Sequence, residues 1–321
     1  MILHDEKALE GKNMTDTMQT QKIFFAMGTV KSVTVFEPAD EALSAIKDRV
    51  LNLNRRLNAY THDSEIAEVN RNAGIRPAVV SADTFALIEH SIRFANLTDG
   101  CFDITSRHLS QLWKDAMKSS VFPDDAAIQY ARSFVNYQDI ILDSAQCTVM
   151  LKHKGQQLDL GGIAKGYAAD EVRLILLEYG IRNAVINFGG TVINLGLPRR
   201  IGLQTPFAPN GQHFASVLIH DGQAVVSSGL YEQCRIISGK IMHHIISPRT
   251  GYPADSGLTA VTLVGQNAAE LDALATAAMI LGIENSIPLL KERSIEAVFI
   301  RSSGEIYVTE SLAANLKWKG K

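Results

Sequence analysis

The sequence has few cysteines, and their placement excludes two kinds of site. Only Cys101, Cys147 and Cys234 occur among 321 residues. Three widely spaced cysteines fit neither a disulfide framework nor a Cys-x-x-Cys metal site. The chain also lacks an excess of positive charge, because 31 Lys and Arg stand against 34 Asp and Glu, for a net charge of −3. We therefore expect no nucleic-acid partner, which would require a basic surface.

Long apolar runs are missing as well. No segment approaches the roughly 18 consecutive apolar residues of a membrane span. Residues 1–20 have neither the basic start nor the apolar core of a signal peptide. We therefore expect a cytoplasmic protein with no membrane span, although a chain whose export signal had been removed would look the same. Hydrophobic residues make up 46% of the chain, which is typical of a globular protein.

Helical and strand patterns are mixed along the chain without a regular βαβ order. Apolar spacings of three and four predict a helix that begins near Asp40, and Ser81 can cap a second helix. Other predicted helices cover residues 164–179, a segment that begins at Asn267, and a short stretch after it. Strands are predicted over residues 30–36, 157–160, 183–188, 214–219, 223–226, 235–237, 241–246, 259–264, 296–300 and 305–309. This mixture favours an α+β fold with mainly antiparallel sheets and packed helices.

Turn residues and composition give the domain organisation. Asp221-Gly222 and the segment 238–240 each predict a hairpin turn between neighbouring strands. No internal repeat or linker interrupts the chain after residue 22. We expect a flexible tail over residues 1–21 and a single domain over residues 22–321. The stretch 106–150 has a mixed pattern that predicts no particular element.

The predicted helix 268–282 carries an unusual polar pair. It is apolar nearly all round, yet Asp272 and Thr276 lie four residues apart and so share one face. A buried carboxylate is costly unless it is paired, hydrogen-bonded or bound to a metal. Two oxygen donors one turn apart suit a hard cation such as Mg²⁺. Spacing alone favours a simpler alternative, in which Asp272 binds an arginine or a backbone N–H and Thr276 bonds back to its carbonyl.

A pair of glycines follows the strand predicted over residues 157–160. The segment from Asp159 to Tyr167 reads DLGGIAKGY, so Lys165 lies at the start of a helix. Glycines allow close backbone approach, helix-start N–H groups favour anions, and lysine adds positive charge. This pattern suits phosphate binding but matches neither of the common phosphate motifs, so a tight turn with a surface lysine is equally open. Gly189-Gly190-Thr191 is a second and weaker candidate for phosphate binding.

A third group of candidate residues includes adjacent histidines. His243 and His244 lie on a predicted strand, so their side chains face opposite ways and cannot both bind one ion. A histidine at a strand end can act as a general base, whereas a structural role is the commoner outcome for His243. Asp103 could be a ligand or a turn carboxylate. Together, these groups indicate a phosphate-rich ligand, a hard divalent metal and a histidine base.

Several short segments are informative through their order along the chain. They are Ala26–Thr29, Leu57–Tyr60, Asp63–Asn70, Gly100–Thr105, Leu158–Asp170, Asn187–Gly190, Ser228–Tyr231, His244–Gly251 and Asp272–Ala277. In this order, over about residues 23–310, the sequence resembles the ApbE family of FAD:protein FMN transferases. The resemblance implies an α+β fold related to the T-fold. It also implies that FAD binds in a cleft, which two sub-lobes of the domain could form.

The same resemblance implies roles for particular residues. Asp272, Thr276 and the main-chain oxygen of Ala164 would be Mg²⁺ ligands, which overturns the simpler alternative for the helix pair. His244 matches the histidine implicated in catalysis. The residues that fall in FAD-lining segments of the family are Met27, Tyr60, Phe102, Asp103, Asp159, Lys165, Gly190 and Thr191.

The implied reaction splits FAD and passes FMN to a threonine or serine hydroxyl of a target flavoprotein, with release of AMP. The acceptor would be a flavoprotein with an exposed Thr or Ser, such as a fumarate-reductase-like protein. Two alternatives remain open, namely a Mg²⁺-dependent FAD pyrophosphatase and a non-catalytic FAD-binding protein. Cys101, Thr191 and Ser247 depart from the residues usual in the family, which could alter the FAD pose or the choice of acceptor.

Overall fold

A computed structural model describes residues 2–3, 19–209, 211–237 and 240–320. Residues 4–18, most of the predicted flexible tail, lie outside the described residues. Of the rest of that tail, Ile2–Leu3 pairs with the strand Arg199–Gln204, and another strand begins at Thr20. The strands are β1 Ile2–Leu3, β2 Thr20–Ala26, β3 Thr29–Val35, β4 Ala78–Val79, β5 Ile140–Asp143, β6 Thr148–Leu151, β7 Ala184–Asn187, β8 Thr191–Leu195, β9 Arg199–Gln204, β10 His213–Ile219, β11 Ala224–Gly229, β12 Cys234–Ile237, β13 Lys240–His243, β14 Leu258–Gly265, β15 Glu296–Arg301, β16 Ile306–Val308 and β17 Leu316–Trp318. The helices are α1 Asp40–Leu57, α2 Glu65–Arg71, α3 Ala82–Leu97, α4 Arg107–Ser119, α5 Asp125–Arg132, α6 Ala164–Glu178, α7 Ala268–Glu292 and α8 Glu310–Ala313.

The largest element is an eight-stranded sheet in the order β16-β15-β14-β11-β8-β7-β3-β2. A second sheet has the order β1-β9-β10-β17, a third has the order β4-β6-β5, and β12 pairs with β13 alone. All pairings between the described strands are antiparallel. The predicted α+β fold with mainly antiparallel sheets is therefore confirmed.

Three apolar clusters hold these layers together. The largest joins one face of the eight-stranded sheet to helices that include α1, α6 and α7. The second fills the space between the other face of that sheet and the β9–β10 sheet, through residues such as Val185, Val217 and Val264. The third packs Ile237 and Met242 of the β12–β13 hairpin against α4 and α5. The hairpin is therefore anchored to the helices of the region that the sequence left unassigned.

Helix α7 is the central helix of the largest cluster. It is long and apolar enough to cross a membrane by length and composition alone. Residues along its length, such as Leu271, Ala275 and Met279, are instead buried against α6 and the large sheet. Gly282 interrupts α7 with φ 78° and ψ 176°, which agrees with the prediction of two successive helices.

Most predicted elements are present, with shifts at their ends. Ser81 caps α3 by accepting a hydrogen bond from Thr84 N, as predicted. Asp40 is the first residue of α1 rather than its cap, because the cap position falls on Ala39. The hairpin around residues 238–240 is confirmed by the pairing of β12 with β13, although 238 and 239 themselves lie outside the described residues.

Two element predictions are wrong. Residues 157–160 form no strand, because Leu158 N bonds the side chain of Asn70 and Asp159 N bonds Ile104 O. Asp221-Gly222 does not close a hairpin, because β10 pairs with β9 and β17 whereas β11 pairs with β8 and β14. The turn carries the chain from one sheet to the other. A local turn signal cannot tell these two outcomes apart.

Candidate active site

A cleft of about 480 Å³ gathers polar residues from distant parts of the chain. Ten of the sequence-predicted site residues line it: Met27, Tyr60, Phe102, Asp103, Asp159, Ala164, Lys165, His244, Asp272 and Thr276. They come from the loop before β3, the loop after α1, the segments that precede α4 and α6, the start of α6, the end of the β12–β13 hairpin, and α7. The fold thus brings together residues that the sequence separates by up to about 250 positions.

The close crossing of α6 and α7 fixes one side of the cleft. A Cβ atom at Gly166 would lie 2.1 Å from Ala268 O, so only glycine allows this approach. Two carboxylates bond across the crossing in opposite directions. Asp272 Oδ2 of α7 accepts a hydrogen bond from Gly166 N (3.0 Å), and Asp170 Oδ2 of α6 accepts one from Ala269 N (2.9 Å). The position of Asp272 is therefore set by backbone contacts.

Asp272 and Thr276 present oxygen atoms to the cleft. Asp272 is 3% exposed, and one of its carboxylate oxygens receives a backbone N–H. Thr276 Oγ1 donates to Asp272 O at 3.2 Å, which leaves the lone pairs of the hydroxyl free for another partner. A carboxylate and a hydroxyl are oxygen donors that suit a hard cation, and Ala164, whose main-chain oxygen the family resemblance adds to them, also lines the cleft. These contacts are the hydrogen bonds of the simpler alternative, in which Asp272 binds a backbone N–H and Thr276 bonds back to Asp272 O. They are also compatible with a metal site, since the Asp272 carboxylate and the Thr276 hydroxyl can still accept a further partner.

Lys165 lies beside this oxygen set. Its Nζ is 3.6 Å from Asp272 Oδ1 and donates to Gly161 O at 3.3 Å. The Asp272 carboxylate raises the pKa of the Lys165 ammonium, so this side chain carries a positive charge at neutral pH. Gly162 gives the loop room, because a Cβ there would lie 3.2 Å from the ring of Phe102. The loop can therefore offer an anion both charge and open backbone.

A second side of the cleft is built from side chains around Tyr60. The Tyr60 hydroxyl donates to Asp159 Oδ2 (2.7 Å) and accepts from Lys114 Nζ (2.5 Å). The Arg107 guanidinium lies 4.2 Å from the centroid of the Tyr60 ring, within cation–π range. Desolvation, followed by the Asp159 charge, raises the pKa of Tyr60, so the phenol stays protonated. The ring is 49% exposed and could stack on a planar ligand.

Asp103 lines the cleft, but its oxygens are occupied by protein donors. Oδ1 accepts from Thr105 N and Thr105 Oγ1, both at 2.7 Å, and Oδ2 accepts from Tyr137 N at 3.0 Å. Burial raises the pKa of this carboxyl against the effect of these hydrogen bonds. Of the two alternatives for Asp103, a ligand or a turn carboxylate, this geometry matches the turn carboxylate. Its contacts shape the loop that carries Phe102.

Met27 also shapes the cleft through its backbone. It has φ 47°, a left-handed conformation, and its N–H donates to Asn54 Oδ1 at 2.8 Å. Gly28 follows with φ 75°. The turn between β2 and β3 thereby directs both residues toward the cleft.

The two histidines separate as predicted. His243 is 4% exposed, and its Nε2 lies 3.1 Å from Ala254 O. His244 lines the cleft, and its Nδ1 lies 3.3 Å from Gln233 O. A carbonyl only accepts, so Nδ1 carries the hydrogen and Nε2 of the neutral ring is left with a free lone pair. Burial lowers the pKa of His244 to about 4, so the ring is neutral at pH 7.

Gly190 and Thr191 are not among the residues that line the cleft. Thr191 is 0% exposed at the start of β8, and its Oγ1 has no hydrogen-bond partner among the described residues. Gly190 adjoins two residues that line the cleft, because a Cβ there would meet Ser227 O at 2.8 Å and Glu232 Oε1 at 3.5 Å. The contact of these two residues with FAD stays a prediction.

Sequence reasoning missed three charged residues at or behind the cleft. Lys114 belongs to α4, which the spacing of Leu109, Trp113 and Ala116 could have revealed. Glu232 lines the cleft, and desolvation raises the pKa of its carboxyl against the effect of Lys165. Lys31 lies behind the cleft on β3, at an inward position of the alternating pattern. A charged residue at an inward position of a strand is unusual, so the sequence pattern could have drawn attention to Lys31.

Comparison with known proteins places these residues in a family context. A model of the ApbE family matches residues 27–299. A curated relative from Klebsiella pneumoniae (strain 342), named FAD:protein FMN transferase, is 36% identical over 275 residues, which is 84% of this chain and 85% of that protein. A relative of the same name from Treponema pallidum (strain Nichols) is 32% identical over 298 residues, covering 85% of this chain and 82% of that protein.

Solved structures share the fold. The crystal structure of the ApbE protein from Thermotoga maritima MSB8 matches with a TM-score of 0.84 and 27% identity, over 93% of this chain and 99% of that chain. The flavin transferase ApbE from Vibrio cholerae matches with a TM-score of 0.82 over the same shares of the two chains. At 24% identity, this second likeness concerns the fold alone.

Proposed function

The chain belongs to the ApbE family, and we propose that it is a Mg²⁺-dependent FAD:protein FMN transferase. The observation that carries the proposal is the single cleft in which an oxygen set on α6 and α7, the Lys165 ammonium and a neutral His244 come together. These groups suit the cleavage of a diphosphate by an incoming hydroxyl. In that step, the acceptor oxygen bonds to the FMN phosphorus, the bond from that phosphorus to the bridging oxygen breaks, and AMP leaves.

The metal would be held by Asp272, Thr276 and the main-chain oxygen of Ala164. Hard oxygen donors are the ligands that Mg²⁺ prefers, and the hydrogen bonds at Asp272 and Thr276 leave acceptor positions for it. When bound there, Mg²⁺ would neutralise negative charge on the diphosphate and on the departing AMP. Lys165, 3.6 Å from Asp272, adds a second positive charge on the same side of the cleft.

His244 would accept the proton of the attacking hydroxyl. Because its Nδ1–H bonds Gln233 O, the free Nε2 is the atom that can act as base. A general base must be unprotonated, and the lowered pKa of His244 keeps it so across the physiological range. His243, bonded to Ala254 O, would support the end of the hairpin rather than the chemistry.

The acceptor would be a flavoprotein that presents a threonine or serine hydroxyl. The names of the relatives support a protein acceptor, because each is an enzyme named for the transfer of FMN to a protein. The half-exposed ring of Tyr60 would stack on a planar ring of FAD. The cationic groups of Arg107 and Lys114 lie beside the same Tyr60 ring.

The proposal is tested by incubating the purified protein with FAD, MgCl₂ and a candidate acceptor domain. Intact mass spectrometry follows the acceptor, and chromatography follows AMP. We expect the acceptor to gain the mass of one FMN with release of one AMP, and we expect EDTA to stop both. The matched control is the same acceptor with its target threonine changed to valine, which should gain no mass.

Other outcomes separate the remaining activities. Release of AMP and free FMN with every acceptor unlabelled would indicate an FAD pyrophosphatase. Tight FAD binding without AMP release under any metal condition would indicate a carrier protein. Transfer that proceeds fully in EDTA would contradict the metal requirement while leaving the transferase intact.

A further inference from the structure

Lys31 is a lysine buried inside the large sheet. It lies on β3, on the same face as Val33 and Val35, and is 0% exposed. Lysine is almost never fully buried without a charged partner, because loss of hydration disfavours the ammonium. Among the described residues, no carboxylate lies within ion-pair distance of Lys31 Nζ. The residue therefore needs an explanation beyond packing.

The immediate partners of the Lys31 ammonium are uncharged. Nζ donates to Thr29 Oγ1 at 2.6 Å and to Phe188 O at 3.2 Å. It also lies 5.0 Å from the centroid of the Phe188 ring, within cation–π range. The two hydrogen bonds engage two of the three N–H donors and leave the positive charge without a counter-charge in direct contact.

Thr29 connects this buried charge to the cleft. Its side chain lines the cleft beside Gly28, and its oxygen receives the Lys31 N–H. Thr29 Oγ1 donates to Phe188 O over a long 3.5 Å, and that carbonyl also accepts from Lys31, so a closer acceptor in the cleft could take the hydroxyl hydrogen. The Thr29 hydroxyl is thus left as a donor for a ligand in the cleft.

The charges that act on Lys31 also border the cleft. Burial, followed by repulsion from Lys165 of α6, lowers the pKa of Lys31 to about 8, and attraction by Asp272 of α7 opposes both. Glu232 and Asp159 also act on Lys165, whereas Asp272, the carboxylate that acts on Lys31, lies beyond ion-pair distance of it. A negative group in the cleft would therefore complement the charge of Lys31.

We propose that Lys31 is a positioning residue for an anionic phosphate of the substrate. It acts through the Thr29 hydroxyl, which it leaves as a hydrogen-bond donor to that phosphate, while its charge attracts the phosphate from behind the cleft wall. This inference rests on the proposed function, since the phosphate would belong to the diphosphate of FAD. It adds two residues of the β3 strand to a site otherwise built on α6, α7 and loops.

The test measures FAD binding by flavin fluorescence for the wild type, Lys31→Met, Thr29→Val and the double variant. Riboflavin, which carries the same ring without phosphate, is the control ligand. We expect Lys31→Met to raise the Kd for FAD about tenfold and to leave the Kd for riboflavin unchanged. The double variant should lose no more affinity than Lys31→Met alone, because two residues that act through one contact are not additive.

A pH series adds a readout that a purely structural role would not move. Between pH 7 and 9 the wild-type Kd for FAD should rise about fivefold as Lys31 loses its proton, since the protonated form binds about tenfold more tightly than the neutral form. Lys31→Met should show no such rise, and the melting temperature of each variant reports whether its fold is retained.

The outcomes distinguish this inference from the proposed function. If the wild type binds FAD and transfers FMN but Lys31→Met binds FAD equally well, the role of Lys31 is wrong and the transferase stands. Equal losses for FAD and riboflavin, or full additivity in the double variant, would also contradict the inference by indicating a structural role. If the wild type binds no FAD, both proposals fail.

Discussion

Two sides of the cleft are built in different ways. On the helix side, Asp272 is 3% exposed and is held by a backbone N–H across a crossing that only Gly166 permits. On the loop side, Tyr60 is 49% exposed and is held by the side chains of Asp159 and Lys114. Buried backbone contacts fix atoms more closely than exposed side-chain contacts do. The helix side is therefore suited to holding a metal and a diphosphate, and the loop side to admitting a ring and an acceptor.

The largest expected effect comes from the helix side. Asp272→Asn should reduce AMP release about 10⁴-fold, because a metal supplies several kcal/mol to the transition state and each 1.36 kcal/mol is tenfold. Steady-state AMP assays over a MgCl₂ series measure the loss. Asp170→Asn is the matched control, since it changes the other carboxylate of the crossing without touching the cleft. Equal losses for the two variants would show that Asp272 acts only on helix packing.

His244→Asn should lower transfer by about 10²- to 10³-fold, within the range of a lost general base. FAD affinity should stay within about twofold, because in the proposed reaction the imidazole acts on the attacking hydroxyl and not on the bound ring. Acceptor labelling and fluorescence titration measure the two quantities. His243→Asn is the control and should retain transfer if its fold is intact. Undiminished labelling by His244→Asn would remove this residue as the base.

Gly166→Ala tests whether the helix side depends on the close crossing. A Cβ 2.1 Å from Ala268 O must push α6 and α7 apart, and overpacking of this kind destabilises by about 3 kcal/mol. If the proposed metal ligands on α6 and α7 move apart by about 1 Å, the rate could fall by up to about 10²-fold. Thermal unfolding and AMP assays should therefore both respond. The exposed substitution Glu178→Ala on the same helix should change neither; a Gly166→Ala variant as stable as the wild type would contradict the geometry.

Tyr60→Phe tests the loop side and should have a smaller effect. It removes the hydroxyl between Asp159 and Lys114 but keeps the ring. We expect KM for FAD to rise about fivefold to tenfold with kcat nearly unchanged. The reason is that the lost contact would stabilise the bound substrate and the transition state equally. Tyr60→Ala, which also removes the ring, should raise KM further. A large fall in kcat for Tyr60→Phe would place the phenol in the chemistry instead.

The difference between the two sides also explains what could be predicted from sequence. Asp272, Thr276 and Lys165 lie in short patterns whose spacing already indicates a shared face or a helix start, and the structure brings them to one cleft. The α+β fold followed from the mixed pattern of helices and strands. These features are local, so local rules find them.

Features that depend on distant pairing could not be found in this way. The Asp221-Gly222 turn joins two different sheets, because β11 finds its partners in β8 and β14. Thr191 follows a suggestive glycine pair, yet the central position of β8 buries it behind the cleft. Lys31 shares a buried face of β3 with Val33 and Val35, and only the fold shows that Phe188 and Thr29 contact its ammonium. Tertiary contacts decided each of these cases.

The smallest expected effect is the response of the wild type to pH near neutrality. With the pKa of His244 lowered to about 4 by burial, the ring is already unprotonated at pH 6, so raising the pH to 8 uncovers no more base. The acceptor-labelling rate at limiting FAD, which reports the free enzyme, should change less than about twofold between pH 6 and pH 7.5. It should fall tenfold per pH unit only below about pH 4, where the imidazole becomes protonated. An inflection of the labelling rate near pH 6.5 that disappears in His244→Asn would mean that His244 is hydrated like a surface histidine. The part of the cleft around His244 would then be open to solvent.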